Sequence, residues 1–179
     1  ALSGGKVPGL DKVPDLIAQT IKTVAEPVKA AALRLKDIHD CYVLSRGFLY
    51  AAAQESALKI QETTYTHARA YAISDFYHGP FAVVDKDTHV VVLAAAGKAQ
   101  KDNLDMLGRL TAVGADVTLL SSDPAVTGGA VRVAIPAADE AVAPFAFVTA
   151  AQLLALNLSL SRGLTPDAPR GLKKVTITK

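Results

Sequence analysis

The sequence has no tryptophan, one cysteine and one methionine, and aromatic residues fill only 6% of its 179 positions. The lone thiol, Cys41, excludes an internal disulfide and a cysteine-rich zinc site. It suits a reducing, cytoplasmic compartment. Neither sign of charge is in large excess. The net charge of +2 is too small to argue for nucleic acid or an anionic membrane surface as a partner. No apolar run reaches the roughly 18 residues that a membrane span requires. The nearest approach, 141–160, is interrupted by Pro144, Thr149, Gln152, Asn157 and Ser159 and reads as a buried helix. A signal-peptide pattern is absent, and the chain begins with Ala rather than Met, as a trimmed chain, a processed product or a fragment does. No G-x-G-x-x-G or Walker pattern supplies a phosphate cradle. His39, His67 and His89 lack ligand spacing, so no metal is expected.

What is there is a chain half apolar and one-fifth charged, which excludes disorder. Its length fits one domain, or one plus an arm. Residues 1–12 read as a linker or arm and 13–179 as a single domain. Helical spacing at Leu16, Ile17, Ile21, Val24 and Val28 predicts a helix over 14–25, and Pro27 restarts a second over 27–36. Strands are expected at 40–46, 81–85, 88–96, 115–122 and 130–136. Helices are expected at 48–63, 98–113 and 140–161, while 64–79 carries no clear period. Alternating strands and helices, with strands apolar on both faces, predict an α/β three-layer sandwich around a five-stranded parallel sheet of flavodoxin-like order. Such sheets place ligands beyond the strands' C-terminal ends, where the strand order reverses. That puts the expected site near Ser45, Arg46 and Gly47.

Glu55, Lys59 and Glu62 are spaced i, i+4, i+7 and share one helical face. A carboxylate beside a cation suits proton abstraction next to a carbonyl; an exposed face with ordinary ion pairs is the other reading the spacing leaves open. His78, in the turn His-Gly-Pro, can exchange protons near neutral pH or simply bond turn carbonyls. Ser121, Ser122 and the Thr127-Gly128-Gly129 stretch suit either an anion or ordinary turns. Cys41, inside the first strand, is a poor nucleophile candidate. The tail carries Arg170, Lys173 and Lys174 among prolines and β-branched residues.

The segments LSRGFLYAAAQESALKIQETTYTHARAYAISDFYHGP and PDAPRGLKKVT together resemble the second sugar-isomerase (SIS) domain of the glucosamine-6-phosphate synthase family and its glutaminase-lacking relatives. The resemblance spans about 40–179. It implies a five-stranded parallel sheet, a sugar-phosphate substrate, no cofactor and a homodimer. Lys59 matches the lysine of the family's A-L-K segment, and Glu62 its proton-transfer glutamate. His78 matches the ring-opening histidine that serves a neighbouring subunit, and Lys174 the tail lysine at the ketose carbonyl. Ser45, Arg46, Gly47 and Glu55 are the expected substrate-binding positions. Asp75, Tyr77 and Gln61 depart from the family pattern, and the tail is one residue shorter after Lys174. These departures point towards amino-sugar deaminases or deglycases rather than the synthase. Members carry two such domains in tandem, the first gripping the phosphate with a Ser/Thr-rich loop. Here that loop reads AAAGKAQKDN, so the chain is expected to be the second half, with a preceding SIS domain as partner. A non-catalytic phosphosugar-binding or dimerisation module is the alternative.

Overall fold

The structure, a computed structural model, describes residues 5–171. A short 3-10 helix, Leu10–Lys12, leads into α1 (Val13–Arg34). Then follow β1 (Asp40–Ser45), α2 (Leu49–Thr64), β2 (His67–Ala72), the single-turn α3 (Ile73–Phe76), a second 3-10 helix (Pro80–Val83) and β3 (His89–Ala94). The chain continues through α4 (Gln100–Ala112), β4 (Asp116–Ser121), β5 (Val131–Ala134) and α5 (Ala143–Ser161). The five strands pair in the order β2-β1-β3-β4-β5, all parallel. This is the expected architecture and strand order.

Alternation along each strand sends side chains to two cores. From β1, Cys41 and Val43 join α1, α2 and α5 on one face; Leu44 joins α3 and α4 on the other, with Tyr42 packed against it. The first core is rich in alanine, including Ala31, Ala32, Ala53, Ala57, Ala146, Ala150 and Ala155, all at most 3% exposed. Small side chains let three helices approach the sheet and one another, with α5 packed against both α1 and α2. Among the described residues α5 is the one helix long and apolar enough to cross a membrane. Ala146, Phe147, Ala150, Leu154 and Leu158 bury its inner side, so it serves as a core helix.

Two expectations need correction. Residues 13–34 form one helix with Pro27 inside it, not two. The hydrogen bond Pro27 cannot donate would have gone to Thr23, which is exposed, where water can bond the free carbonyl. Val24 and Val28, buried on either side of it, keep the helix seated on the sheet. The strand expected at 81–85 is instead a 3-10 turn, opened by Gly79 at φ 142° and by Pro80. The fifth strand is β2, inside the segment without a clear period. As an edge strand it is mostly half-exposed and lacks the apolar run of its neighbours.

Because the sheet is parallel, α1, α2 and α5 all end near the strands' N-terminal ends. Arg162, just past α5, joins them. Its guanidinium donates to the carbonyls of Leu35 (3.1 Å), Lys36 (2.6 Å), Ile38 (2.7 Å) and Thr64 (2.7 Å), and to Thr66 Oγ1 (2.8 Å). Replacing Arg162 with methionine keeps the stem and removes every donor. It is expected to cost about 2–4 kcal/mol. Urea unfolding should show this as a lower midpoint at unchanged slope; Arg162→Lys should recover only part of the loss.

Candidate functional site

The inner side of α2 is Leu49, Ala52, Ala53, Ser56, Ala57 and Ile60, all buried. Glu55, Lys59 and Glu62 therefore line its outer side, as the spacing predicts, with side chains about one-third exposed. Lys59 Nζ lies 2.5 Å from Glu62 Oε2 and 3.9 Å from Glu55 Oε1. Gln152 Nε2 of α5 makes a long contact, 3.5 Å, with Glu55 Oε1. The row thus runs along the margin between α2 and α5. The hydrogen bond to Glu62 holds the Lys59 ammonium above its ordinary range, partly offset by desolvation and aided by the nearby charges of Glu62 and Glu55. Lys59 is a fixed cation at neutral pH, and it orients the Glu62 carboxylate.

The row is not at the strand-order switch, where the sequence places the site. α2 starts beyond the C-terminal end of β1 and runs back to the start of β2, and Asp40 pairs in register with His67. Thirteen residues at 1.5 Å each set Glu62 about 20 Å below Leu49. At the switch itself, Ser45 is wholly buried and its Oγ has no partner. Arg46 donates from Nε to Asp102 Oδ2 at 2.8 Å and from a terminal nitrogen to Ser74 Oγ at 3.3 Å. Gly47, at φ 64°, makes the turn. The crevice between Arg46, Leu49, Ala95, Ala96 and Glu140 has only about 10 Å³ of space, no more than one water occupies. The other anion candidates are engaged in their own loops. Ser121 Oγ bonds both the N–H and the carbonyl of Asp123, and Ser122 Oγ accepts from Ala96 N–H. Gly129 sits where a Cβ would lie 2.7 Å from the Val117 carbonyl oxygen.

His78 is exposed, in the crossover that covers the opposite face of the sheet from α2. Among the described residues no hydrogen bond or ion pair joins it to Glu55, Lys59 or Glu62. Asp75 accepts its backbone N–H at 3.1 Å. Tyr77 lies under the Arg109 guanidinium at 4.7 Å. Lys174 and Lys173 lie outside the described residues. Cys41 is buried, and its thiol is pushed up to about 12 by desolvation first and by Asp40 second, which makes it inert at neutral pH.

The contacts of two neighbours of Glu62 escaped the sequence reading. Gln61 Nε2 donates to the carbonyl of Ala68 at 2.6 Å and so ties α2 to the edge strand. Tyr65 closes α2 in the left-handed region at φ 59°, a conformation that costs a side-chain-bearing residue about 1–2 kcal/mol. Its hydroxyl accepts the backbone N–H of Arg170 at 2.8 Å, and the Arg170 guanidinium stands 4.5 Å from its ring centroid. The sequence offers a local clue for Tyr65: it follows the helix where a glycine is usual.

The family model for the SIS domain matches residues 34–162. The chain belongs to the SIS domain family. It is 36% identical over 178 residues to the isomerizing glutamine–fructose-6-phosphate aminotransferase of Aquifex aeolicus, covering 94% of this chain and 29% of that protein. To the Methanothermobacter thermautotrophicus enzyme of the same name it is 30% identical over 172 residues, covering 92% and 28%. The SIS chain thus spans under one-third of the length of these relatives. Among solved structures it resembles the C-terminal domain of glucosamine-fructose-6-phosphate aminotransferase from Francisella tularensis, with TM-score 0.80, 27% identity, and 87% and 44% coverage. It shares its fold with a glucosamine-6-phosphate deaminase of Thermotoga maritima, with TM-score 0.78, 23% identity, and 99% and 52% coverage.

Because Lys59 and Glu62 are partly solvated, their pairing contributes little to the stability of the SIS fold. Lys59→Met and Glu62→Gln are each expected to change unfolding free energy by about 1 kcal/mol or less. A raised lysine stabilises below its unfolded value of 10.5 and loses that contribution as pH climbs through the higher folded value. The stability gap between wild type and Lys59→Met should stay constant from about pH 6 to 9 and narrow only above about 10.5. Denaturant titrations across that range check it.

Proposed function

We propose that the chain is the C-terminal isomerase half of an enzyme acting on fructose 6-phosphate or an amino-sugar 6-phosphate. The observation that carries this is the Lys59–Glu62 pair at 2.5 Å with the tail docked on Tyr65 beside it. Isomerising a ketose phosphate needs one base that takes a proton from carbon 1 and returns it to carbon 2, through an enediol or enolamine. Glu62 is that base. Lys59 aims its carboxylate through their hydrogen bond, and Glu55 lies 3.9 Å from Lys59 on the preceding turn. Lys174 answers the developing charge at the ketose oxygen. Ring opening falls to His78 supplied by a second copy, since within one chain it sits across the sheet from Glu62. Ser45, Arg46 and Gly47 shape the turn above α2. The nitrogen is transferred, removed or released from a glycated partner, according to the domain that precedes this one. The curated relatives named as aminotransferases support transfer, and the departures at Gln61, Asp75 and Tyr77 support deamination or deglycation.

Phosphate binding belongs to a preceding SIS domain in this reading. The switch crevice is filled and the 95–99 loop has neither serine nor threonine. The chain alone lacks the remote binding energy that positions a hexose phosphate. A cytoplasmic location suits the single buried thiol and a phosphorylated substrate. A non-catalytic phosphosugar sensor has no use for a proton-transfer pair, so kinetics separate the two readings. Glu62→Gln, in the chain joined to its preceding domain, should cut turnover about 100-fold or more with binding largely kept. Turnover equal to wild type would sink the assignment.

The second-copy role of His78 has its own test. His78→Ala and Glu62→Gln should each be inactive as homodimers. Mixed subunits should regain about one-quarter of wild-type turnover, because half of the dimers are hybrids with one intact site. No recovery on mixing, with hybrid formation verified by mass spectrometry, would place His78 outside a shared site.

A further inference from the structure

Of the arginines among the described residues, Arg34 and Arg46 are held by Asp116 and Asp102, Arg132 and Arg162 by main-chain carbonyls, and Arg109 and Arg170 by tyrosine rings. Arg69 has neither a hydrogen bond nor a ring. It stands on the edge strand β2, two residues after His67, so the two side chains share one face of the sheet. Both are exposed, while Ala68 between them is buried against the helices. Beside them lies an open cavity of about 420 Å³, bordered by Gln61, Tyr65, Thr66, His67, Arg69 and Arg170. A smaller one, of about 200 Å³, shares His67 and Arg69 and reaches Asp40 and Tyr42.

Two guanidiniums and an imidazole border the larger cavity, and no carboxylate does. Arg162 adds to the same field from beneath. It donates to Thr66 Oγ1, in the cavity wall, at 2.8 Å. Its five acceptors are all neutral, so no ion pair cancels its charge. Asp37 acts on it through space alone, and Asp40 borders only the smaller cavity. Charges of one sign gathered around a recess raise the local concentration of the opposite ion. The donors are also preset. The Arg170 backbone N–H is fixed on the Tyr65 hydroxyl at 2.8 Å, and its guanidinium stands over the Tyr65 ring, 4.5 Å from the centroid. Among the described residues its side-chain N–H groups donate to nothing. Gln61 ties the wall of the recess to the edge strand through the Ala68 carbonyl at 2.6 Å.

We propose that this recess is an anion site that takes the phosphate group of a small organic phosphate, with Arg69 and Arg170 as its two forks and His67 at its rim. A carboxylate offers two oxygens and one charge, and a single guanidinium satisfies it. A phosphomonoester offers three oxygens and about two charges at neutral pH, which calls for a second fork. The site is separate from the Glu55–Lys59–Glu62 row and shares no residue with it, so it stands or falls independently of the proton-transfer reading.

Nuclear magnetic resonance titration of the ¹⁵N-labelled 179-residue chain tests it, at ionic strength held constant with potassium chloride. The probes are inorganic phosphate, glycerol 2-phosphate and acetate. Both phosphates should shift the amides of 61–71 and the Nε–Hε signals of Arg69 and Arg170, and should saturate with a dissociation constant of about 1 mM or tighter. Arg69→Gln and Arg170→Gln should each weaken binding about fivefold or more, and Arg69→Lys, which keeps the charge and loses the fork, should weaken it by less. Both arginines are exposed, so these variants should keep the wild-type thermal midpoint. Lys101→Gln, which removes one exposed charge from α4, should bind as the wild type does. Shifts that never saturate, or affinity that falls as much in Lys101→Gln as in Arg69→Gln, overturn the site. So does undiminished binding in both arginine-to-glutamine variants. Acetate binding as tightly as phosphate overturns the ligand class, and binding of inorganic phosphate without glycerol 2-phosphate overturns the organic ligand.

Discussion

One guanidinium holds the end of this domain together. Three helices on the same face of a parallel sheet must all finish at the strands' N-terminal ends, and each leaves carbonyls without an intrahelical partner. Those carbonyls crowd into one place and carry partial negative charge. A single planar cation, with donors fanned in a fixed fork, can serve several at once. Arg162 does so, reaching the chain after α1, the end of α2 and the hydroxyl of Thr66 from its own position just past α5. The alanine-rich interior of this layer brings the helix ends close enough to share one side chain. Larger core residues would spread them apart.

The position of the Glu55–Lys59–Glu62 row follows from that closure. α2 is pinned at Thr64 by Arg162 and at Gln61 by the edge strand. Glu62 lies between these two attachments, so its backbone is among the best-fixed on the helix. Lys59 then sets the rotamer of its carboxylate from one turn earlier. Fixed placement of this sort is what the proposed proton transfer would demand, since a base must stay within hydrogen-bond reach of two adjacent carbons. By contrast, the strand-order switch, the usual ligand crevice of such sheets, has only about 10 Å³ of space, and Arg46 beside it is tied up in an ion pair with Asp102.

Legibility in the sequence followed the apolar pattern of each strand. β1, β3 and β4 lie inside the sheet and their apolar runs announced them; β5 is an edge strand, legible from the alternation of Val131, Val133 and Ile135. β2, His-Ala-Arg-Ala-Tyr-Ala, is an edge strand with one side in water, and no period marks it. The run Phe-Ala-Val-Val looked like a strand because Phe81 and Val84 do enter the second core, but they enter it from a 3-10 turn, with Phe81 edge-on to Phe76 at 6.1 Å. The outer row of α2 was readable because a helix fixes which residues three and four apart meet. Arg162 and Tyr65 were not, because their partners come from 35–38, 64–66 and 170, and only the closed fold brings those together.

The two arginines of the C-terminal segment divide the work by strength. Arg162 makes five charge-assisted bonds, four of them partly buried, and belongs to the permanent scaffold. Arg170 makes one backbone bond to a hydroxyl and one exposed stacking contact with a ring. Such a pair is worth about 1–2 kcal/mol, a population bias of about five- to thirtyfold. That is enough to hold Arg170 on Tyr65 most of the time and too little to lock it there. The difference between Arg162 and Arg170, eight residues apart in one sequence, is a difference in how many carbonyls the fold places within reach of each.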